Sequence, residues 1–263
     1  MPTSQTDPSA TAESPISTTE APFSPTCPPP AGITDEREQT YNAGASGPVH
    51  AVSTPADLIT SLRTIMLDED LKFLRPTLYA GTGGTAAERL YDRTLRGWLD
   101  RHPVLKFAQV RSSGTGLHVL IHLHPPVEFQ DADDRVRWAA MVRVVQSTLP
   151  SDPHAPGLTA LTRPVGSVNG KSGRPVTVLR PGTPVHPDGV RAFVADMQRR
   201  PFAIVSEILN GKGTVRPCPV CRADGSSLKP RDRVGKCYRC GTITLARLMG
   251  AVMVDPSTGV EGN

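Results

Sequence analysis

The sequence predicts an α+β protein: a sheet with flanking helices, followed by a small metal-binding module and preceded by a disordered tail. Three observations carry this. Phe107 to His124 holds two alternating apolar runs joined by Ser112-Ser113-Gly114-Thr115-Gly116, the pattern of a hairpin closed by a glycine turn. Segments around it place apolar residues at helical spacing, notably Tyr91, Leu95, Trp98 and Leu99, and Trp138, Met141, Val142, Val145 and Leu149. Cys218-Pro-Val-Cys221 and Cys237-Tyr-Arg-Cys240 are separated by fifteen residues, the spacing of a four-cysteine metal module.

Taken in order, residues 1–48 are rich in Ser, Thr, Pro and Ala, with no hydrophobic period, so they bury too little apolar surface to offset the entropy of ordering. The 27 prolines and 23 glycines, against 5% aromatic residues, agree with long irregular segments beside a folded part. Order is expected from about Val49. Ser53 or Thr54, with Pro55 and Asp57, reads as a helix start, and Leu58, Leu62, Ile65 and Met66 keep helical spacing up to an end near Leu67-Asp68-Glu69-Asp70. Leu74–Ala80 then reads as a strand and 81–84 as its loop. Thr85 with Glu88 forms a capping box for the next helix, which leads into the hairpin.

Within the hairpin, side chains alternate, so His118, Leu120, His122 and His124 share one face and Val119, Ile121 and Leu123 the other. The first face is offered to something polar. The turn's glycines and the hydroxyls of Ser112, Ser113 and Thr115 suit close approach to phosphate, the other reading being a plain hairpin with a wet face. Asp131 or Asp133 caps the following helix, in which Trp138 keeps the period of the core. Pro150–Gly157 is a proline-rich loop carrying Asp152 and His154. Leu158–Arg163 and Pro175–Leu179 read as strands around a glycine-rich cationic loop, 164–174. That loop shares only Gly170-Lys171-Ser172 with a Walker A motif, whose glycine spacing and flanking elements are missing. From Asp188 to Leu209, two short helical patterns are split by Pro201.

Four thiolates at this spacing bind one tetrahedral zinc ion in a zinc ribbon, structural because no coordination position is left for water. Between Met197 and Arg247, eleven Lys or Arg stand against Glu207, Asp224 and Asp232, a local excess suited to a polyanion such as nucleic acid. Tyr238, between the last two ligands, is a candidate stacking ring. The other reading is a structural ribbon whose charges only solvate it. No window approaches the roughly eighteen apolar residues needed to span a bilayer, and the N-terminus has neither a basic start nor an apolar block, so a cytoplasmic protein without membrane contact is expected.

The order of parts resembles the archaeo-eukaryotic primase, or primase-polymerase, superfamily. Ser112-Ser113-Gly114-Thr115-Gly116-Leu117-His118 is similar to its Ser-x-Gly-x-Gly-x-His motif, and Thr162-Arg163-Pro164-Val165-Gly166-Ser167-Val168-Asn169-Gly170-Lys171 to its Arg-x-Pro-Gly-Ser/Thr-x-Asn-x-Lys segment, with one residue of slippage. The resemblance runs over about Asp57 to Leu179 and implies a primase-polymerase-like (RRM-like) sheet. The chain as a whole is expected to divide into a disordered tail (1–48), a primase-polymerase-like domain (49–185), a helical linker (186–211), the ribbon with a short terminal helix (212–252) and a second tail (253–263).

The family's Asp-x-Asp motif ends the strand before the hairpin, where this chain has Leu78-Tyr79-Ala80-Gly81-Thr82-Gly83; its own Asp68-Glu69-Asp70 falls one element too early, readable as an acidic helix end. The resemblance implies Mg²⁺ or Mn²⁺ on Asp68, Asp70 and Asp152, an incoming nucleoside triphosphate at His118 and the Ser112, Ser113, Gly114 and Gly116 turn, and Arg163 and Lys171 on phosphate charge. It further implies a single-stranded DNA template and a replicative helicase as partners. A DNA primase-like nucleotidyltransferase and a degenerate primase-fold protein that binds nucleic acid through its ribbon both satisfy it.

Overall fold

The computed structural model describes residues 56–254 except 153. The expected tail (1–48), the start of order near Val49 and the proposed cap at Ser53 or Thr54 lie outside these residues. Strand β1 (Ser61–Glu69) is followed by short 3-10 turns at Leu71–Phe73 and Pro76–Leu78. Helices α1 (Ala86–Leu90) and α2 (Arg96–Arg101) run on through one π-helical turn, Tyr91–Leu95. The hairpin is β2 (Gln109–Ser112) and β3 (Leu117–Glu128), followed by α3 (Ala132–Gln146). A small hairpin, β4 (Val168–Asn169) and β5 (Arg174–Pro175), precedes β6 (Thr177–Arg180). Helices α4 (Pro187–Arg199) and α5 (Pro201–Asn210) lead to a three-stranded unit, β7 (Lys229–Pro230), β8 (Gly235–Cys237) and β9 (Gly241–Ile243), and to α6 (Leu245–Met249).

The main sheet has the order β1-β3-β2-β6, with every neighbouring pair antiparallel. The helix expected over Asp57–Asp70 is therefore corrected: apart from a 3-10 turn at Ala56–Leu58, the segment is a strand. Leu58, Leu62, Ile65 and Met66 fit a helical stripe. The strand's own alternation sends Ile65, Leu67 and Glu69 to one face and Thr64, Met66 and Asp68 to the other. Pairing with the apolar β3 from Ser61↔Glu128 to Glu69↔Leu117 decides between the two patterns.

Leu74–Ala80 is corrected as well. Its one bridge is Leu74 to Met253, and Pro76 lacks the amide a ladder needs, so the segment coils through a 3-10 turn. Leu158–Arg163 forms no strand either; it is a loop lying over the sheet through Thr162. The strand expected at Pro175–Leu179 is split into β5 and β6.

Other expectations match. Thr85 and Glu88 form a reciprocal capping box, Asp131 caps α3, and Pro201 separates α4 from α5. One buried cluster joins the Ile65/Leu67 face of β1, the Val119/Ile121 face of β3, Leu95 and Leu99, Trp138 of α3 and Phe193 of α4. It extends through Phe202 of α5 to Cys218, Leu228 and Cys237. A Cβ at Gly235 would collide with Leu228 and the Phe202 ring, so close packing of β8 against α5 requires glycine there. Among the described residues no helix is long and apolar enough to cross a membrane.

Candidate active site and metal centre

β1 and β3 place Asp68 directly opposite His118, and β2 places Arg111 on the other side of the same histidine. The row Asp68, His118, Arg111 thus crosses the sheet on the face opposite the main core. Sequence order alone put Asp68-Glu69-Asp70 one element too early. The structure makes this triplet a strand end beside the hairpin, not an acidic helix end.

Asp152 comes to the same place from the loop after α3. Its amide donates to the Asp68 carbonyl at 2.8 Å, and its own Oδ1 accepts from the His154 amide at 2.8 Å. Burial, then the charges of Asp70 and Asp152, push the Asp68 carboxyl up to about 6, while Lys72 acts in the opposite sense. Lys72 makes a 2.9 Å ion pair with Asp70. A half-buried carboxylate that two others destabilise is electrostatically suited to a divalent cation, and an all-oxygen donor set suits Mg²⁺ or Mn²⁺. Glu69 points the other way; it is fully buried, both carboxyl oxygens lack a hydrogen-bond partner, and burial raises it to about 8.

His118 is 8% exposed, and its Nδ1 lies 2.8 Å from Thr162 Oγ1. Burial, with the charges of Arg111 and Arg163, lowers it to about 4, so the ring is neutral at pH 7. The Arg111 guanidinium also donates to Gln109 Oε1 and, at 3.3 Å, to the Arg163 carbonyl. Arg111 and Thr162 are the residues missed in the sequence. The hairpin register could have revealed Arg111, since counting outward from the turn pairs Ser112 with Leu117 and Arg111 with His118. His122, half-buried, meets Thr64 Oγ1 at 3.2 Å, and His124 is exposed.

The glycine turn is tied down by protein bonds on both sides, with Thr115 exposed at its tip. Ser113 donates its amide to the Gly116 carbonyl, and Ser113 Oγ accepts from the Gly116 amide at 3.2 Å. A Cβ at Gly116 would stand 2.8 Å from the Glu69 carbonyl oxygen, and one at Gly114, where φ is +93°, would press on Ser172 and Asn169. Buried Asn169 donates to the Ser113 carbonyl, so the cationic loop docks on the hairpin turn. Ser112 and Ser113 are buried, whereas Arg163 and Lys171 are exposed. Arg163 acts on His118; Lys171 lies in the β4–β5 turn with its amide on Asn169 Oδ1.

The second centre is the cysteine cluster. The ligand atoms of Cys218, Cys221, Cys237 and Cys240 all lie within 4.8 Å of one another, and among the described residues they are the one such group. Tetrahedral coordination at about 2.3 Å would bring the sulfurs to roughly 3.8 Å apart, so the cluster fits a zinc ion. The Ala223 amide points at Cys221 and lowers it to about 6; the Cys240 and Arg239 amides lower Cys237. Burial raises Cys218 and pushes Cys240 up to about 12. Beside the cluster, Lys229 and Lys236 are paired across β7 and β8 and line a cavity of about 450 Å³ with Tyr238, which is 70% exposed.

No protein-family model matches the chain, and no curated protein does. Among solved structures, the chain is similar in part to the AEP domain of the cyanophage S-2L primase-polymerase, with a TM-score of 0.36 and 16% sequence identity. The match covers 53% of this chain and 64% of that one, less than two thirds of its length.

Proposed function

We infer that the chain is a primase-like nucleotidyltransferase that binds a nucleoside triphosphate and single-stranded DNA. The observation that carries this reading is the row Asp68, His118 and Arg111 across one sheet face, with Asp152 bonded to the Asp68 carbonyl and Arg163 near enough to act on His118. In this reading Asp68, Asp70 and Asp152 hold divalent cations. Cations held there would supply the Lewis-acid charge that favours attack by a 3′-hydroxyl and departure of pyrophosphate.

The remaining roles belong to the protein's own groups. In this reading His118 Nδ1 accepts from the Thr162 hydroxyl, the tautomer that leaves Nε2–H to donate to a triphosphate oxygen. Neutrality suits that role, because a ring lowered to about 4 stays uncharged through physiological pH. Arg111 and Arg163 supply positive charge beside it, and Lys171 a further cation on the neighbouring loop. Asn169 and the Gly114 and Gly116 turn hold His118 in register. The ribbon, organised by zinc on its four cysteines, offers Lys229, Lys236 and Tyr238 to single-stranded DNA, phosphates to the lysines and a base to the ring. A replicative helicase remains the partner class implied by the family resemblance.

A second reading is binding without turnover. It is favoured by the fact that, among the described residues, the four cysteines are the one group of His, Cys, Asp or Glu placed to hold a metal ion. Incorporation of labelled nucleotide on a single-stranded template with Mg²⁺ or Mn²⁺ separates the two. Product supports the first reading; salt-sensitive DNA binding without product selects the second.

A further inference from the structure

The segment that follows the ribbon folds back next to the carboxylates. The Arg75 amide donates to the Val252 carbonyl at 3.1 Å, and the Val254 amide to the Phe73 carbonyl at 3.0 Å. The Arg75 guanidinium adds bonds of 3.0 Å to the Met253 and Gly250 carbonyls. Residues 253 and 254, expected to open a tail, are therefore anchored to the stretch just after Asp70.

Between this segment and the end of α3 lies a cavity of about 310 Å³. Its apolar walls are Met249, Met253, Leu149 and Pro150, and Arg143, Ser147 and Asp152 are among its polar lining. Asp152 thus belongs both to this cavity and to the group of acids around Asp68.

Thioether walls are soft and polarizable and favour the face or edge of an aromatic ring. The volume is at the small end of the range for ligand pockets, roughly 300–1,000 Å³, which suits one flat heterocycle rather than a whole nucleotide. The Arg143 guanidinium is already bonded to Gln146 Oε1 and the Ala155 carbonyl, and Asp152 repels a phosphate, so the Met-lined part of the cavity suits a neutral base. We propose that this cavity receives a nucleobase of the nucleotide or strand end held at Asp68 and Asp152, so that the segment after the ribbon forms one wall of the substrate site. The inference rests on the primase-like reading above.

The test is photocrosslinking of the full-length, zinc-loaded protein with two probes, 4-thiothymidine triphosphate and an oligonucleotide ending in 4-thiothymidine, followed by peptide mapping. Crosslinks are expected on the peptides carrying Met249 and Met253. With the triphosphate alone they identify a free nucleotide as the source; with the oligonucleotide alone, a strand end; with both, a base from either source. Ser147 is exposed, so Ser147→Trp fills the cavity from its rim and should lower the crosslink yield about tenfold. Met253→Ala provides a second variant should the first fail to fold, with retained zinc as the control for both. Crosslinks confined to the ribbon strands or to the Thr162–Arg163 loop, or undiminished in both variants, overturn the cavity assignment while probe binding leaves the primase-like reading standing. Absence of binding by either probe removes both.

Discussion

The backbone amide of Asp152 donates a 2.8 Å hydrogen bond to the carbonyl of Asp68, joining two acids that are far apart in the chain. With Asp68 opposite His118 across the ladder, this bond brings Asp152 next to the strand position that faces His118.

Divalent-cation binding should follow from this geometry. Asp68→Asn and Asp152→Asn are each expected to abolish Mn²⁺ binding measured by calorimetry at pH 7.5. In the wild type, protons compete for Asp68, so Mn²⁺ affinity should fall as pH drops through about 6. The stability effect has the opposite sign. A carboxyl raised in the folded state favours folding most at low pH, and that contribution is lost as pH rises from 3.8 through about 6. Asp68→Asn should therefore stabilise the metal-free protein at pH 7.5, by about 1 kcal/mol after allowance for partial exposure. An affinity independent of pH between 5 and 8, in roughly that range of titration, would contradict the assignment.

Glu69 gives a test independent of ligands. It is held protonated near neutrality, so the unfolded chain releases its proton first and stability declines as pH rises from 4.5 to about 8. Glu69→Gln removes that dependence. At pH 9 the variant should melt higher than the wild type by at least ~1 kcal/mol, about 2–4 °C for a domain of this size. Equal melting temperatures at pH 9 would show that the carboxyl finds water or a partner on ionisation.

Zinc removal should reach beyond the ribbon. Cys218 and Cys237 share a buried cluster with Phe202 and Leu228, so a chelator should loosen α5 as well as the knuckles. Hydrogen exchange on Phe202–Leu209 is expected to speed up with chelator and recover with added zinc. Unchanged protection there would make the ribbon an independent unit.

The ribbon's basic face should carry DNA affinity. Lys229→Ala and Lys236→Ala are each expected to weaken single-stranded DNA binding and flatten its salt dependence by about 0.7 in log–log slope. Tyr238→Ala should cost about 1–3 kcal/mol if the exposed ring stacks on a base. Fluorescence anisotropy across a salt series checks both, and slopes identical to wild type would leave the charges as mere solvation.

Local signals were legible in the sequence and non-local ones were not. The turn before His118, the capping box at Thr85 and Glu88, and the cysteine spacing each depend on a few consecutive residues. β1 is hidden because Leu58, Leu62, Ile65 and Met66 satisfy a helical period, while its strand character comes from partners 48 (Glu69↔Leu117) to 67 (Ser61↔Glu128) residues away. The same distance concealed the role of Asp68-Glu69-Asp70, which looks displaced along the chain yet borders the hairpin in space. The family resemblance points to Asp152, but its tie to Asp68 is a backbone bond that no residue type announces. Arg111 was within reach, since hairpin register alone sets it beside His118.

The central claim is tested most directly by template-directed synthesis with Mn²⁺ or Mg²⁺, comparing wild type with His118→Ala and Asp152→Ala proteins that retain their zinc. The site described above predicts product from the wild type and a loss of about 100-fold or more in each variant, in line with removal of a group that positions phosphate or metal. Undiminished product from both variants would contradict it.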